Sequence, residues 1–171
     1  AAVGSDAVVI DQSGQEIKTM VSEQGTGTIR NSLLSLRSTP VHGSVMMRRE
    51  SVLAVGGYRL AFTVSQDFDL WLRLTEHFGL DNLPDILYEW RLNPAGVYST
   101  RRIEQMMFSS IALAFTHERQ LSGKDSYSLL EAADGNIECF LGDFDSSDRV
   151  HAQFGDLLLR SGFKPELARR H

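Results

Sequence analysis

The sequence predicts an α/β fold over residues 1–100 and a helical region over residues 101–171. Alternating and β-branched runs that indicate strands occur in the first part, whereas the second part carries two long apolar stripes at helical spacing. The chain has 171 residues, of which 42% are hydrophobic and 23% are charged. This composition is typical of one globular domain that is large enough to bury a sizeable core.

The charge balance and the cysteine content exclude several classes of protein. Lys and Arg number 17 and Asp and Glu number 22, so the net charge is −5 and we expect no nucleic-acid partner. The single cysteine, Cys139, excludes an intramolecular disulfide and a cysteine-rich zinc site, and we interpret it as a buried apolar residue. No apolar stretch approaches the ~18 residues that a membrane span requires.

The first thirty residues predict a β-hairpin followed by a loop. Ala7–Ile10 is a short β-branched run, and Asp11–Gly14 ends it with residues typical of turns. Glu16–Val21 then alternates with period two, as a half-buried strand does. Gly25–Thr28 is predicted to be a loop, and it lacks the third glycine of a dinucleotide-binding motif.

Residues 40–55 predict a strand and a short helix. Residues 40–46 resemble a strand that contains Gly43, a position where another group can approach the backbone closely. Glu50–Val55 predicts a helix that Gly56 and Gly57 cap, because glycine adopts the left-handed conformation of a helix C-terminus at little cost.

A second helix and a late strand complete the α/β part. The helix is predicted to begin near Ser65 and to end at Gly79, and Ile86–Leu92 predicts a strand that Asn93–Pro94 ends. The apolar face of the helix has helical spacing and comprises Phe68, Trp71, Leu72, Thr75 and Phe78.

The helical region carries two apolar stripes. The first comprises Ile103, Met106, Met107, Ser110, Ile111, Ala114 and Phe115, and the second comprises Val150, Phe154, Leu157, Leu158 and Ser161. Because Arg101–Arg102 precedes the first stripe, an interfacial membrane helix is one interpretation. We favour an amphipathic helix that covers the core.

Two carboxylates, Asp67 and Asp69, lie in the first turn of the helix predicted near Ser65. Free N–H groups and the positive end of the helix dipole favour the ionised carboxylate there. An ionised carboxylate in this position can accept a proton from a substrate hydroxyl. The alternative is that both are ordinary residues of a helix N-terminus.

Four segments occur in a characteristic order at close intervals: His42–Arg49, Val55–Tyr58, Gln66–Leu74 and Leu83–Pro94. This succession resembles the second half of a family 2 glycosyltransferase with the GT-A fold, over roughly residues 1–100. The resemblance implies a partial GT-A-type mixed sheet with flanking helices, to which residues 101–171 add a helical extension.

The resemblance implies a catalytic role for Asp67. The family's Glu-Asp pair, whose Asp is the general base on the acceptor hydroxyl, falls on Gln66 and Asp67. The implied reaction is a single inverting displacement on a nucleotide sugar, with a glycan or a lipid-linked molecule as acceptor. The family's Arg-x-His falls on Arg91 and Asn93, and since asparagine is a poor metal ligand this departure leaves metal dependence open.

The resemblance also implies a set of substrate-binding residues. It places the strand with His42 and Gly43 beside the donor sugar, and the other candidates are Gln66, Trp90, Arg91 and Asn93. Trp90 fits sugar stacking and core packing equally well, whereas core packing is the preferred role of Trp71. The remaining histidines show no paired metal spacing, so we assign no metal ligand in this chain.

The donor-binding half of the family is not found in this sequence. It consists of a βαβ segment and an Asp-x-Asp metal motif that follows a strand. Asp67–Asp69 and Asp143–Asp145 match that motif formally, but neither has the strand before it. The chain begins at Ala1 without Met, which we interpret as processing or truncation. We expect an acceptor-side fragment that is inactive alone, with a divalent metal (Mg or Mn) confined to the intact parent.

Two further expectations concern partners and location. A half-domain exposes a sheet edge and an apolar face, so we expect a homo-oligomer formed through these surfaces. We expect a cytoplasmic protein and leave a peripheral position at a membrane open. A rival function is a non-catalytic glycosyltransferase-like module that binds a carbohydrate or a protein, suggested by the neutral residues Gln66 and Asn93.

Overall fold

The computed structural model describes residues 1–37 and 40–142, which form a mixed α/β protein. The chain divides into two compact units. The first comprises Ala1–Arg59 and Gln66–Arg102, and it contains all the strands of the described part. The second comprises Leu60–Ser65 and the chain from Ile103 on, and it is helical over its described residues after Arg102. The predicted helix around Val150 and the motif Asp143–Asp145 lie outside the described residues.

The predicted hairpin at the start of the chain is confirmed. Strand β1 (Ala2–Ile10) pairs antiparallel with β2 (Glu16–Met20), with Ala7 opposite Met20. The turn forms because one carboxylate oxygen of Asp11 accepts hydrogen bonds from the backbone N–H groups two and four residues later, at 2.8 and 2.9 Å. Strand β1 is longer than predicted and is buried over most of its length.

Strand β1 lies at the centre of the sheet. Strand β4 (Leu80–Arg91) pairs parallel with it along one edge, and the opposite edge holds β2 and the two-residue strand β3 (Met46–Met47). The predicted strand over Ile86–Leu92 is therefore confirmed and begins earlier. Strand β4 passes through Pro84 at a register irregularity opposite Ser5 and Asp6, where the missing backbone N–H does not interrupt a regular ladder.

The strand predicted over residues 40–46 is largely wrong. His42–Ser44 forms a short 3₁₀ helix, and only Met46 and Met47 pair with β1. The turn is local: the backbone N–H and the hydroxyl of Ser44 both donate to the carbonyl of Val41, at 2.8 Å each. The close approach expected at Gly43 is confirmed, since a Cβ atom there would overlap the ring of Tyr88.

The first unit contains four α-helices, of which two were predicted. Helix α2 (Arg49–Ala54) ends at Gly56 and Gly57, which have φ values of 83° and 67°, and α3 (Gln66–His77) begins where expected. The loop predicted over Gly25–Thr28 is wrong, since helix α1 (Thr26–Leu34) begins within it. Ile29 and Leu33, which follow the predicted loop, form the buried face that stabilises this helix. The fourth is α4, Val97–Thr100.

The second unit is built on helix α5 (Arg102–Ser122), with α6 (Tyr127–Ala132) and α7 (Ile137–Gly142). Its aromatic core joins Phe62 to Phe108 and Phe115, whose ring centroids lie 5.6 and 6.2 Å away. The predicted helix is confirmed, and the middle of α5 is buried.

Two local predictions in the second unit are wrong. Ile103 is exposed in the first turn of α5 rather than part of its apolar face. Cys139 is exposed on α7, not buried. Among the helices of the described part, none is long and apolar enough to cross a membrane.

Candidate functional site

Asp69 is enclosed by arginine side chains in the first unit. Its Oδ2 accepts hydrogen bonds from Nε of Arg73 at 3.0 Å and from Nη2 of Arg73 at 2.5 Å, one helical turn later. Nη1 of Arg59 lies 3.5 Å from Oδ1, and Nη1 of Arg73 donates to the carbonyl of Val55 beyond the end of α2. Asp69 is therefore a buried structural carboxylate that joins α3 to the end of α2.

Asp67 has a different environment although it is only two residues earlier. It is half-buried, and within the described part of the chain it forms no ion pair. Its Oδ1 accepts the backbone N–H of Phe68 at 2.9 Å. Asp67 thus presents a carboxylate that no described residue neutralises, near the N-terminus of α3, where the helix dipole favours negative charge.

Tyr58 lies within the electrostatic field of Asp67. The pKa of the Tyr58 hydroxyl is raised above its usual range of about 10, first by partial burial and second by the negative charge of Asp67. At neutral pH this hydroxyl is therefore protonated. It can act as a hydrogen-bond donor or acceptor, but not as a second negative charge at the site.

His42 holds the Tyr58 hydroxyl. Nε2 of His42 lies 2.8 Å from Oη of Tyr58, and the two rings are tilted with their centroids 5.9 Å apart. The other neighbour of the imidazole is the indole of Trp71, which it meets edge-on at 5.9 Å. Trp71 is fully buried, which agrees with its preferred role in core packing, and its Nε1 has no hydrogen-bond partner in the described part.

Of the residues that the sequence singled out, the structure connects two through Tyr58. Asp67 acts on the pKa of Tyr58, His42 binds its hydroxyl, and Gly43 follows His42 in the exposed 3₁₀ helix. Gln66 is the half-buried first residue of α3. We define the Asp67 site as Asp67, Tyr58 and His42.

The candidates at the end of β4 have contacts of their own. Nη1 of Arg91 donates to the carbonyls of Asp11 at 2.7 Å and Gln12 at 3.2 Å, so it holds the hairpin turn. Oδ1 of Asn93 accepts the backbone N–H of Ala95 at 3.0 Å. These side chains stabilise turns, and no hydrogen bond or ion pair found in the described residues joins them to the Asp67 site.

Trp90 also packs locally. Its ring meets Tyr98 edge-on with the centroids 4.9 Å apart, and it is half-buried. This contact occupies part of the indole with another side chain of the first unit.

Sequence reasoning assigned no chemical role to Tyr58. The pattern around it predicts only the helix cap of Gly56 and Gly57, which the φ values of the two glycines confirm. The sequence signal that could have identified Tyr58 is its position directly after the glycine cap of a helix. An aromatic side chain there is seldom buried on all sides, so part of its ring can contact a ligand. Nothing in the sequence pattern linked Tyr58 to His42, sixteen residues earlier.

The described residues do not form a metal centre. No group of three or more His, Cys, Asp or Glu side chains comes together in residues 1–37 and 40–142. In the motif Asp67–Asp69, the second carboxylate is already paired with Arg73 and Arg59. An ion held by both carboxylates would have to displace these arginines, so this part of the chain does not fit the divalent metal considered for the parent.

Comparison with known proteins adds no assignment: no protein-family model, curated protein or solved structure matches this chain. The chemistry of the site is therefore argued from its residues. A half-exposed carboxylate beside a tyrosine–histidine pair can accept a proton from a bound alcohol and can orient that alcohol by hydrogen bonds.

Proposed function

We propose that Asp67 is the general base of an inverting glycosyltransferase. It accepts the proton of an acceptor hydroxyl while the oxygen of that hydroxyl attacks the anomeric carbon of a nucleotide sugar. In this proposal the chain is the acceptor-side half of a GT-A fold of family 2, and a nucleotide-binding portion outside the chain holds the donor.

The observation that carries the proposal is the contrast between Asp67 and Asp69. Asp69 is buried and neutralised by Arg73, so it cannot take up a proton from a ligand without breaking the ion pair. Asp67 is half-exposed and forms no ion pair in the described part of the chain. A base must reach the proton that it removes, and of these two carboxylates only Asp67 meets that requirement.

The surroundings of Asp67 favour an alcohol as its ligand. The neutral hydroxyl of Tyr58, hydrogen-bonded to His42, supplies a hydrogen-bond partner near the carboxylate. A carboxylate with a neutral hydroxyl nearby suits a sugar hydroxyl better than an anionic group. General base assistance of this kind typically contributes ~10²–10⁴ in rate.

We derive no step through a metal ion, because the described residues do not fit one. The charge that develops on the departing nucleotide diphosphate must be stabilised by the donor-binding portion. Alone, the chain is therefore expected to bind acceptors and not to transfer sugar.

A second candidate function is a non-catalytic module that binds a carbohydrate or a protein. The contacts of Arg91 and Asn93 favour it, because both side chains stabilise turns rather than face the Asp67 site. Under this alternative Asp67 would contribute a hydrogen bond to a ligand and would take part in no reaction.

The deciding experiment uses a longer protein that contains this chain and the segment encoded before it. That segment should hold a βαβ pattern that leads to an Asp-x-Asp motif. Asp67→Asn should then abolish transfer from a nucleotide sugar and leave acceptor binding intact, because Asn keeps the shape but cannot accept the proton. Asp85→Asn, on the exposed surface of β4, is the matched control and should leave transfer unchanged. Full transfer by the Asp67→Asn protein would exclude the proposal.

A further inference from the structure

The aromatic rings of the first unit differ in what they can offer to a ligand. Trp71 is 0% exposed and cannot stack on anything that arrives from solvent. The ring of Trp90 is partly covered by Tyr98. The ring of Tyr88 lies against the backbone of Gly43. Tyr58, in contrast, is 40% exposed, and its hydrogen-bond partner His42 contacts Trp71, which lies one helical turn after Asp67 on α3.

Tyr58 is also held in one orientation. Its hydroxyl is hydrogen-bonded to Nε2 of His42 at 2.8 Å, and the imidazole is itself fixed by its edge-on contact with Trp71. An aromatic ring that is held in place binds a ligand with little further loss of side-chain entropy. The negative face of such a ring attracts the weakly positive C–H groups on the apolar face of a pyranose.

We propose that Tyr58 is a specificity-determining residue whose ring stacks on a pyranose of the acceptor and orients one of its hydroxyl groups toward Asp67. The acceptor class is therefore a glycan that ends in a pyranose, rather than a lipid phosphate or an amino-acid hydroxyl. This inference rests on the proposed function for the role of the oriented hydroxyl, whereas stacking on Tyr58 needs only binding. His42 is a positioning residue, since it acts on the ligand through Tyr58.

The test measures binding of sugars to this 171-residue chain by saturation-transfer NMR. The probes are methyl pyranosides of several common hexoses, with glycerol as a polyol that lacks a ring. The wild-type chain should give transfer to the C–H protons of at least one pyranoside and none to glycerol. Absence of transfer to every pyranoside, or equal transfer to glycerol, would overturn the inference.

The variants separate the ring from the hydroxyl. Tyr58→Phe keeps the aromatic face and should bind the pyranoside within about threefold of wild type. Tyr58→Ala and Tyr58→Leu lose that face and should bind about tenfold more weakly, as expected for the loss of one aromatic contact with its buried area. His42→Ala should bind about as Tyr58→Phe does, because each variant keeps the ring and removes the hydrogen bond that holds it. Equal losses in Tyr58→Phe and Tyr58→Ala would show that the hydroxyl, not the ring, binds the sugar.

The matched control is Tyr98→Ala, which removes another exposed tyrosine from the first unit, 51% exposed, and should leave binding unchanged. Loss of binding in Tyr98→Ala with full binding in Tyr58→Ala and Tyr58→Leu would overturn the inference. Proton–nitrogen correlation spectra verify that each variant is folded, and Tyr58→Leu, which keeps apolar bulk, answers the same question if Tyr58→Ala unfolds.

The two proposals fail in different ways. If Asp67→Asn keeps full transfer in the longer protein, the catalytic proposal fails while stacking on Tyr58 stands. If Tyr58→Ala and Tyr58→Leu bind pyranosides as wild type does, the stacking inference fails, and the role of Asp67 is still decided by the transfer experiment.

Discussion

Asp67 and Asp69 share the first turn of α3, yet Arg73 pairs with Asp69, while Asp67 forms no ion pair among the described residues. The spacing explains this difference. Arg73 follows Asp69 by four residues, which places both side chains on one face of the helix. Asp67 precedes Arg73 by six residues and Trp71 by four, so it shares a face of α3 with the indole that His42 contacts. One helix turn therefore supplies both a structural and an available carboxylate.

We expect Asp69→Asn to destabilise the first unit strongly. The change removes one charge of a buried pair and leaves Arg73 without its counterion, which typically costs about 3–5 kcal/mol. Urea unfolding followed by tryptophan fluorescence measures this loss in the first unit, because both tryptophans belong to it. The control Asp67→Asn should cost no more than about 1 kcal/mol, the value of a charge at a helix N-terminus. Similar losses in the two variants would contradict the assignment of roles.

A double-mutant cycle should reveal the contact between Gly43 and Tyr88. Gly43→Ala places a methyl group where the tyrosine ring now lies, so the ring must shift at a cost of about 1 kcal/mol. Tyr88→Ala removes the obstacle, and in that background Gly43→Ala should cost far less. The coupling free energy from urea unfolding of the four proteins checks this. Strict additivity would indicate that the two residues do not touch.

The second unit should lose stability as Glu118 ionises. Burial is the largest cause that raises the pKa of Glu118 above 4.5, although this carboxylate accepts hydrogen bonds from the backbone and hydroxyl of Ser126 at 2.6 and 3.1 Å. Because the folded state favours the protonated form, its contribution is complete below the unfolded pKa. The contribution is lost as the pH rises through the folded pKa.

Glu118→Gln makes this pH dependence measurable, since glutamine is neutral and its oxygen still accepts the N–H of Ser126. The free energy of unfolding of the variant minus that of wild type should be more positive at about pH 7 than at about pH 4. Unfolding followed by circular dichroism at 222 nm measures this difference. Glu138→Gln, at an exposed residue of α7, is the control and should show no such trend. An equal difference at both pH values would argue against a buried, proton-favouring Glu118.

The outer edge of β4 should mediate self-association through a second copy of the chain. Among the described strands, β4 pairs with β1 alone, so its other edge is an edge of the sheet to which a further strand can add. It also exposes Ile86 at 52% and Leu87 at 67%. We expect light scattering at high concentration to give a mass above 19.1 kDa, and Leu87→Lys to return the chain to a monomer.

The control for self-association is Leu121→Lys, which adds the same charge at an exposed leucine of α5. It should leave the mass unchanged if the edge of β4 is the contact. A wild-type chain that stays monomeric at high concentration would exclude self-association. If Leu121→Lys gives a monomer and Leu87→Lys does not, the self-association surface includes Leu121 in the second unit and not the edge of β4.

Much of the first unit could be predicted because its signals are local. Residues 7–21 alternate around a turn that begins at Asp11, and the resulting hairpin forms as predicted. Gly56 and Gly57 end α2 because the chain needs a left-handed conformation there. The strand prediction for residues 40–46 was wrong because a contact distant in sequence contributes there. Their β-branched and apolar residues suit a strand, but the Ser44 hydroxyl donates to the carbonyl of Val41 and forms a turn. Tyr88, far along the chain, packs against Gly43.

The sequence by itself determined where α2, α3 and the hairpin begin or end, because capping, turn formation and periodicity act within a few residues. It also identified Asp67 and Asp69 as carboxylates at the start of a helix, which helical position alone did not distinguish and of which only the family resemblance singled out Asp67. Only the tertiary structure decided which of them is available. Burial and pairing depend on residues far along the chain, here Arg59 and Val55 around the Asp69–Arg73 pair and His42 beside Tyr58.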